Sequence, residues 1–158
     1  MTENLIISDG CKSDRYSVLY AQIRSLLDSE DDLISNMANI SSMIHHTFGF
    51  WWTGFYRVSG DELVLGPFQG PLACSRIRFG KGVCGTAWKE ARTVIVPDVD
   101  KFPGHIACSS ASRSEIVVPV YDRSGIVTAV LDIDSTDLGT FDDTDKEWLE
   151  KIAAELKQ

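Results

Sequence analysis

"SEIVVPVYDRSGIVTAVLDIDS", residues 114–135, holds the pattern from which the architecture follows. Two β-branched runs, "SEIVVPVYD" and "GIVTAVLDID", flank the turn-forming "DRSG", which predicts an antiparallel hairpin. Pro119 has no backbone N–H for a ladder, so an edge position or a bulge is expected there. In the second run, alternation puts Asp132 and Asp134 on the side of Thr128 and Val130, while Ala129, Leu131 and Ile133 face the other way. One face of this hairpin is apolar; the other carries two carboxylates.

Those carboxylates stand roughly 7 Å apart along the strand, at about 3.4 Å per residue. Like charges that close destabilise each other unless a cation or a shared proton intervenes. With Glu115 heading the preceding strand, three acids converge, and a pocket explains them better than a solvated face. Such a trio suits an ammonium ligand, or keeps one carboxyl protonated as a proton donor.

Earlier in the chain, "FWWTGFYRV" (50–58) and "ELVLGPFQG" (62–70) read as a second hairpin around "SGD". Alternation places Trp52 and Tyr56 on one face across Gly54, leaving a notch for a small apolar group such as a methyl. Tyr16, Leu19, Tyr20, Ile23, Leu26 and Leu27 recur at helical spacing, with Asp14 as N-cap. A second helix runs from Leu33 through Met37, Ile40 and Ile44 to Phe48, and Gly49 ends it. Trp148, Leu149, Ile152, Ala153 and Leu156 form the apolar face of a last helix, whose first turn is acidic. Residues 70–114 are rich in Gly, Pro, Ser and Cys, with a short helix near 83–90 and a short strand "TVIVP". So long an irregular stretch is usually functional. The expected class is α+β: a central antiparallel sheet with N- and C-terminal helices packed on it, in one domain over 1–158.

A chain of 158 residues, 44% hydrophobic and 24% charged, can bury about 70% of its unfolded surface, so it needs no staples to fold. The net charge of −8 repels phosphate backbones and anionic membrane surfaces, which argues against nucleic-acid and membrane partners. The first residues, "MTENLIISDGCKSDRY", have no basic start followed by an apolar core, so a cytoplasmic location is expected. In that compartment cysteines stay reduced, and they are reactive or metal-binding more often than permanently bridged.

Cys74, Cys84 and Cys108 all fall in the irregular middle. Cys108, in "GHIACSSASR" (104–113), sits among small polar residues where a packing role gains nothing. His105 and Arg113 are its neighbours, while Cys84 precedes a helix whose dipole lowers a thiol pKa. "GKGVCG" (80–85) matches a dinucleotide-binding glycine pattern, but the surrounding hairpins exclude the parallel βαβ unit that motif requires. The glycines are read instead as giving Cys84 a flexible, exposed loop. Cys11, isolated in an N-terminal segment expected to fray, is assigned no role. A zinc site from Cys74, Cys84, His105 and Cys108 has suitable ligand types, but lacks the close pairing usual for structural zinc.

The strings "WWTGFY", "LVLGPFQGPLACSRIRFGKGVCGTAW", "VPDV", "FPGHIACSSASRSEIVVPV" and "VLDIDS" together resemble the free methionine-(R)-sulfoxide reductase family, a thiol-dependent branch of the GAF fold. The likeness runs from about Trp51 to Phe141. It implies reduction of free L-methionine (R)-S-oxide, with no resident cofactor and with thioredoxin as external electron donor. It further implies Cys108 as nucleophile, Cys74 as resolving thiol and Cys84 as an additional or alternative one. Glu115, Asp132 and Asp134 would bind substrate and assist protonation, and Trp52 and Tyr56 would wall its methyl end. A non-catalytic GAF sensor is the competing class, but it has no need of three loop thiols. The oligomeric state, a homodimer included, is not written in the sequence.

Overall fold

A computed structural model describes residues 4–108 and 110–157. In chain order the elements are α1 (Lys12–Leu27), α2 (Leu33–Phe48), β1 (Trp52–Ser59), β2 (Glu62–Gln69), β3 (Arg76–Arg78), α3 (Gly82–Glu90), β4 (Val94–Val96), a 3-10 turn (Val99–Lys101), β5 (Ser114–Tyr121), β6 (Val127–Ser135) and α4 (Asp143–Ala154). The six strands form one antiparallel sheet in the order β3-β2-β1-β6-β5-β4. This is the expected α+β arrangement, with β3 as the strand that composition alone did not reveal.

The helix ends follow local chemistry. The N-cap of α1 is Cys11, not Asp14; Asp14 is the third helical residue, and its carboxylate accepts from the Cys11 N–H at 3.3 Å. Cys11 is therefore held at a helix start rather than frayed. Gly49 closes α2 with φ 69°, a left-handed conformation that costs a glycine nothing. Asp142 caps α4 by accepting from the N–H groups of Thr144 and Asp145.

Alternation along β1, β5 and β6 sorts side chains onto two cores. Phe55, Ile116, Val118, Leu131 and Ile133 face one way and meet Tyr16, Leu19, Ile23, Met37, Ile40, Ile44, Leu149 and Ile152 from α1, α2 and α4. These residues are essentially solvent-free, and truncating one such as Leu131 to alanine would cost about 2–5 kcal/mol. Trp52, Tyr56, Val117 and Val130 face the other way, under α3 and the residue 70–112 loops, with Val83, Cys84, Val94 and Val96. The acids lie on this second face.

Two local features refine the expected alternation. The register between β5 and β6 shifts at Val120/Tyr121, and Tyr121 pairs with Val127 while Val120 pairs with Ala129. Thr128 is left exposed there, and Val127 takes the place in the second core that strict alternation assigned to it. Pro119 lies beyond the three residues of β5 that pair with β4, so its missing N–H meets no ladder on that side.

Candidate functional site

The site is a cleft over the second face, lined by Trp52, Tyr56, Cys84, Cys108, Glu115, Asp132 and Asp134, with His105 and Ser112 from the connecting loop. Strand pairing sets its floor. Glu115 is directly opposite Asp134, Asp132 lies opposite Val117 and Gly54, and Trp52 lies opposite Asp134. Seven of the eight residues singled out from the sequence line this cleft, and the eighth, Cys74, is joined to it by a disulfide to Cys108 with Cα atoms 5.5 Å apart.

Two of the carboxylates are buried and Asp134 is half-buried. Glu115 and Asp132 are 5% and 6% exposed. Burial first, and then the charges of Asp132 and Asp134, push the Glu115 carboxyl well above its usual range. Burial and the Asp132 charge do the same to Asp134, while the Ser112 hydroxyl, donating to Asp134 Oδ1 at 2.8 Å, opposes the shift. Burial raises Asp132 less, because Glu115, Cys84 and His105 favour its charged form. Its Oδ1 has no hydrogen-bond partner. Burial and mutual repulsion therefore favour a protonated carboxyl within the trio over three full charges. His105 Nε2 lies 3.8 Å from Glu115 Oε2. Ser112 had no signal in the sequence, being one serine among several.

Cys84 departs from expectation. It is not on an exposed loop but inside the first turn of α3, 4% exposed, with Gly82, Val83 and Gly85 buried beside it. Any lowering of its thiol pKa by the helix dipole is overwhelmed: burial, then the charges of Asp132, Glu115 and Asp134, push it well above the ordinary thiol value. The glycines serve packing, since a Cβ at Gly85 would stand 2.6 Å from the Arg78 carbonyl oxygen.

The notch expected over Gly54 is also closed. Trp52 folds across it, stacked on Tyr56 and Phe68 with ring centroids 5.9 and 5.2 Å away. A Cβ at Gly54 would meet the Trp52 ring at 2.7 Å and Phe68 Cα at 2.9 Å. Glycine is needed so that the indole can lie flat and form the wall itself. Its Nε1 donates to the Pro71 carbonyl at 3.1 Å, and the Tyr56 hydroxyl donates to the Cys74 carbonyl at 2.9 Å, so both aromatics tie down the loop carrying Cys74.

The four-ligand zinc set weighed from the sequence does not assemble, because Cys74 and Cys108 bond to each other. Among the described residues, the one group of metal-type donors brought together is Cys84, Glu115 and Asp132, with ligand atoms within 4.8 Å of one another. No helix among the described residues is long and apolar enough to cross a membrane.

A curled antiparallel sheet with helices on one face and a loop-walled cleft on the other defines the GAF class, and the GAF domain family model matches residues 28–158. The chain belongs to that family and, within it, to the free methionine-R-sulfoxide reductases. It is 54% identical over 153 residues to GAF domain-containing protein A of Dictyostelium discoideum, covering 96% of each chain. It is 45% identical to free methionine-R-sulfoxide reductase of Saccharomyces cerevisiae, covering 90% of this chain and 83% of that one. A crystal structure of free methionine-R-sulfoxide reductase from Neisseria meningitidis, in complex with its substrate, superposes with a TM-score of 0.95 at 49% identity, covering 98% of this chain and 93% of that one.

Proposed function

We propose that this protein reduces free L-methionine (R)-S-oxide to L-methionine and that thioredoxin returns it to the dithiol state. The observation that carries the reading is the Cys74–Cys108 disulfide at the edge of a cleft floored by Glu115, Asp132 and Asp134. In the reduced protein the Cys108 thiolate attacks the sulfoxide sulfur while a protonated carboxyl of the trio hydrogen-bonds and protonates the departing oxygen. The S–O bond breaks and the oxygen leaves as water, giving a Cys108–methionine sulfonium. A water oxygen then attacks the Cys108 sulfur, the S–S bond breaks with methionine as leaving group and one proton is released, so Cys108 is left as a sulfenic acid. Cys74 then attacks the Cys108 sulfur. Hydroxide leaves as water with one proton, and the disulfide forms. Two electrons from an external dithiol restore both thiols, so no resident cofactor is required.

Each wall has a part in this reading. Asp132, with an oxygen lacking any partner, receives the substrate ammonium; Glu115 and Asp134, whose protons are held most firmly, assist at the oxygen. Trp52 and Tyr56 enclose the methyl end. Cys84, buried and with its thiol favoured over thiolate, is poorly placed as first nucleophile. A protein that cycles through reduced thiols suits the cytoplasm.

The test is turnover with separated R and S epimers of free methionine sulfoxide, coupled through thioredoxin and thioredoxin reductase to NADPH consumption. Consumption confined to the R epimer is expected. Equal use of the two epimers, or none with either, overturns the reading.

A further inference from the structure

The two bonded cysteines end the same tripeptide pattern. Leu72-Ala73-Cys74 and Ile106-Ala107-Cys108 each place an aliphatic residue two positions before the sulfur. Both aliphatics are exposed, Leu72 at 89% and Ile106 at 38%, although large apolar side chains are costly to leave in water. The segments around them are also unlike the rest of the chain in charge. Residues 63–89 and 101–114 contain no Asp or Glu, in a chain that has 23, and carry Arg76, Arg78, Lys81, Lys89, Lys101 and Arg113. All six cations are exposed; Arg76 is ion-paired with Glu62 at 2.9 Å and the exposed Asp100 precedes Lys101, so the basic character is carried chiefly by the others. Lys81 borders Ile106, because it precedes Gly82, and a Cβ there would touch the Ile106 side chain at 3.1 Å. At the base of the Cys108 loop the Val99 N–H donates to the Arg113 carbonyl, and Lys101 follows two residues after Val99.

We propose that this apolar pair with its mainly basic rim is the docking surface for an acidic dithiol protein of the thioredoxin class. The inference rests on the proposed recycling step and names where and by what chemistry it occurs. A net negative chain with a positive disulfide face orients an acidic partner toward the sulfurs before contact. Leu72 and Ile106 then supply the desolvated centre of the contact, and the cations its polar rim. In the docked complex a partner thiolate attacks one sulfur of the Cys74–Cys108 bond and forms a mixed disulfide. The second partner thiol displaces it, so the partner leaves as a disulfide and both cysteines of this protein leave as thiols. Small neutral dithiols need no such surface.

The experiment compares kcat/KM for acidic thioredoxin with that for dithiothreitol on the oxidised protein, at low and high salt. Charge reversal at Lys81→Glu, Lys101→Glu and Arg113→Glu together is expected to lower the thioredoxin value at least about tenfold at low salt, with a smaller loss at high salt, while dithiothreitol is used as before. Leu72→Ser is expected to lower the thioredoxin-to-dithiothreitol ratio in a salt-independent way. Ratios unchanged in both variants overturn the docking surface. Reduction of the wild type by dithiothreitol but never by thioredoxin overturns instead the recycling step on which it rests.

Discussion

The Tyr56 hydroxyl donates to the Cys74 carbonyl oxygen at 2.9 Å, joining the aromatic wall of the cleft to the loop that holds one half of the disulfide. The ring is fixed by stacking on Trp52, so the bond positions the loop rather than the ring. Tyr56→Phe keeps the stack and removes the tether, which is worth about 0.5–1.5 kcal/mol. Disulfide formation after the first turnover should slow by up to about tenfold, with release of the first methionine changed less. Rapid-quench thiol counting separates the two, and an equal slowing of both would refute the tether.

Cysteine substitutions should divide the reaction in two. Cys108→Ser is expected to release no methionine, even in a single turnover without reductant. Cys74→Ser should release one equivalent and then stall as a sulfenic acid that a dimedone probe traps. One equivalent of methionine from Cys108→Ser would reassign the nucleophile.

The cleft acids make stability fall as pH rises. Glu115 and Asp134 have folded pKa values above their unfolded ones, so the native state binds more protons than the unfolded chain. Their contribution is complete below the ordinary carboxyl range near 4 and is lost as pH climbs through the raised values. The slope is up to about 1.4 kcal/mol per pH unit for each proton of difference. Glu115→Gln removes one such ionisation and should flatten the urea-unfolding midpoint between about pH 5 and 9. A wild-type midpoint independent of pH in that range would show that the trio is not strained by charge.

Gly54→Ala tests the closed aromatic wall. The new methyl cannot coexist with Trp52 and Phe68 where they stand, and overpacking of this kind costs about 1–3 kcal/mol. Displacing the indole should raise KM for the sulfoxide several-fold and quench or shift the Trp52 fluorescence. Unaltered KM and emission would mean that the ring does not shape the site.

Much of this was readable because two periods were clean. Alternation through Ala129, Leu131 and Ile133 against Val130, Asp132 and Asp134 fixed both the strand and which face would hold the acids, and helical spacing from Leu33 to Phe48 ended on a glycine that the structure bends to φ 69°. Within residues 70–108 the short helix and the short strand "TVIVP" were legible, but the connecting segments resisted because their order comes from tertiary contacts rather than a repeat. Arg76–Arg78 is too short to show a period, and it becomes a strand only by pairing with Glu62–Val64. Cys84 misled for a related reason: glycines on both sides suggest exposure when read locally, yet here they let α3 press against the sheet side of the cleft. Gly54 was recognised as a gap between aromatics, but only the fold shows which side chain fills it.

Strand β6 interleaves Leu131 and Ile133 with Asp132 and Asp134, sending one pair beneath the helices and the other into the cleft. A slip of one residue against β1 or β5 would exchange them, driving two carboxylates into the main core and turning isoleucine and leucine toward the thiols. A misthreaded chain would thus lose its chemistry and its solubility in the same event, leaving no well-folded but inert population to accumulate.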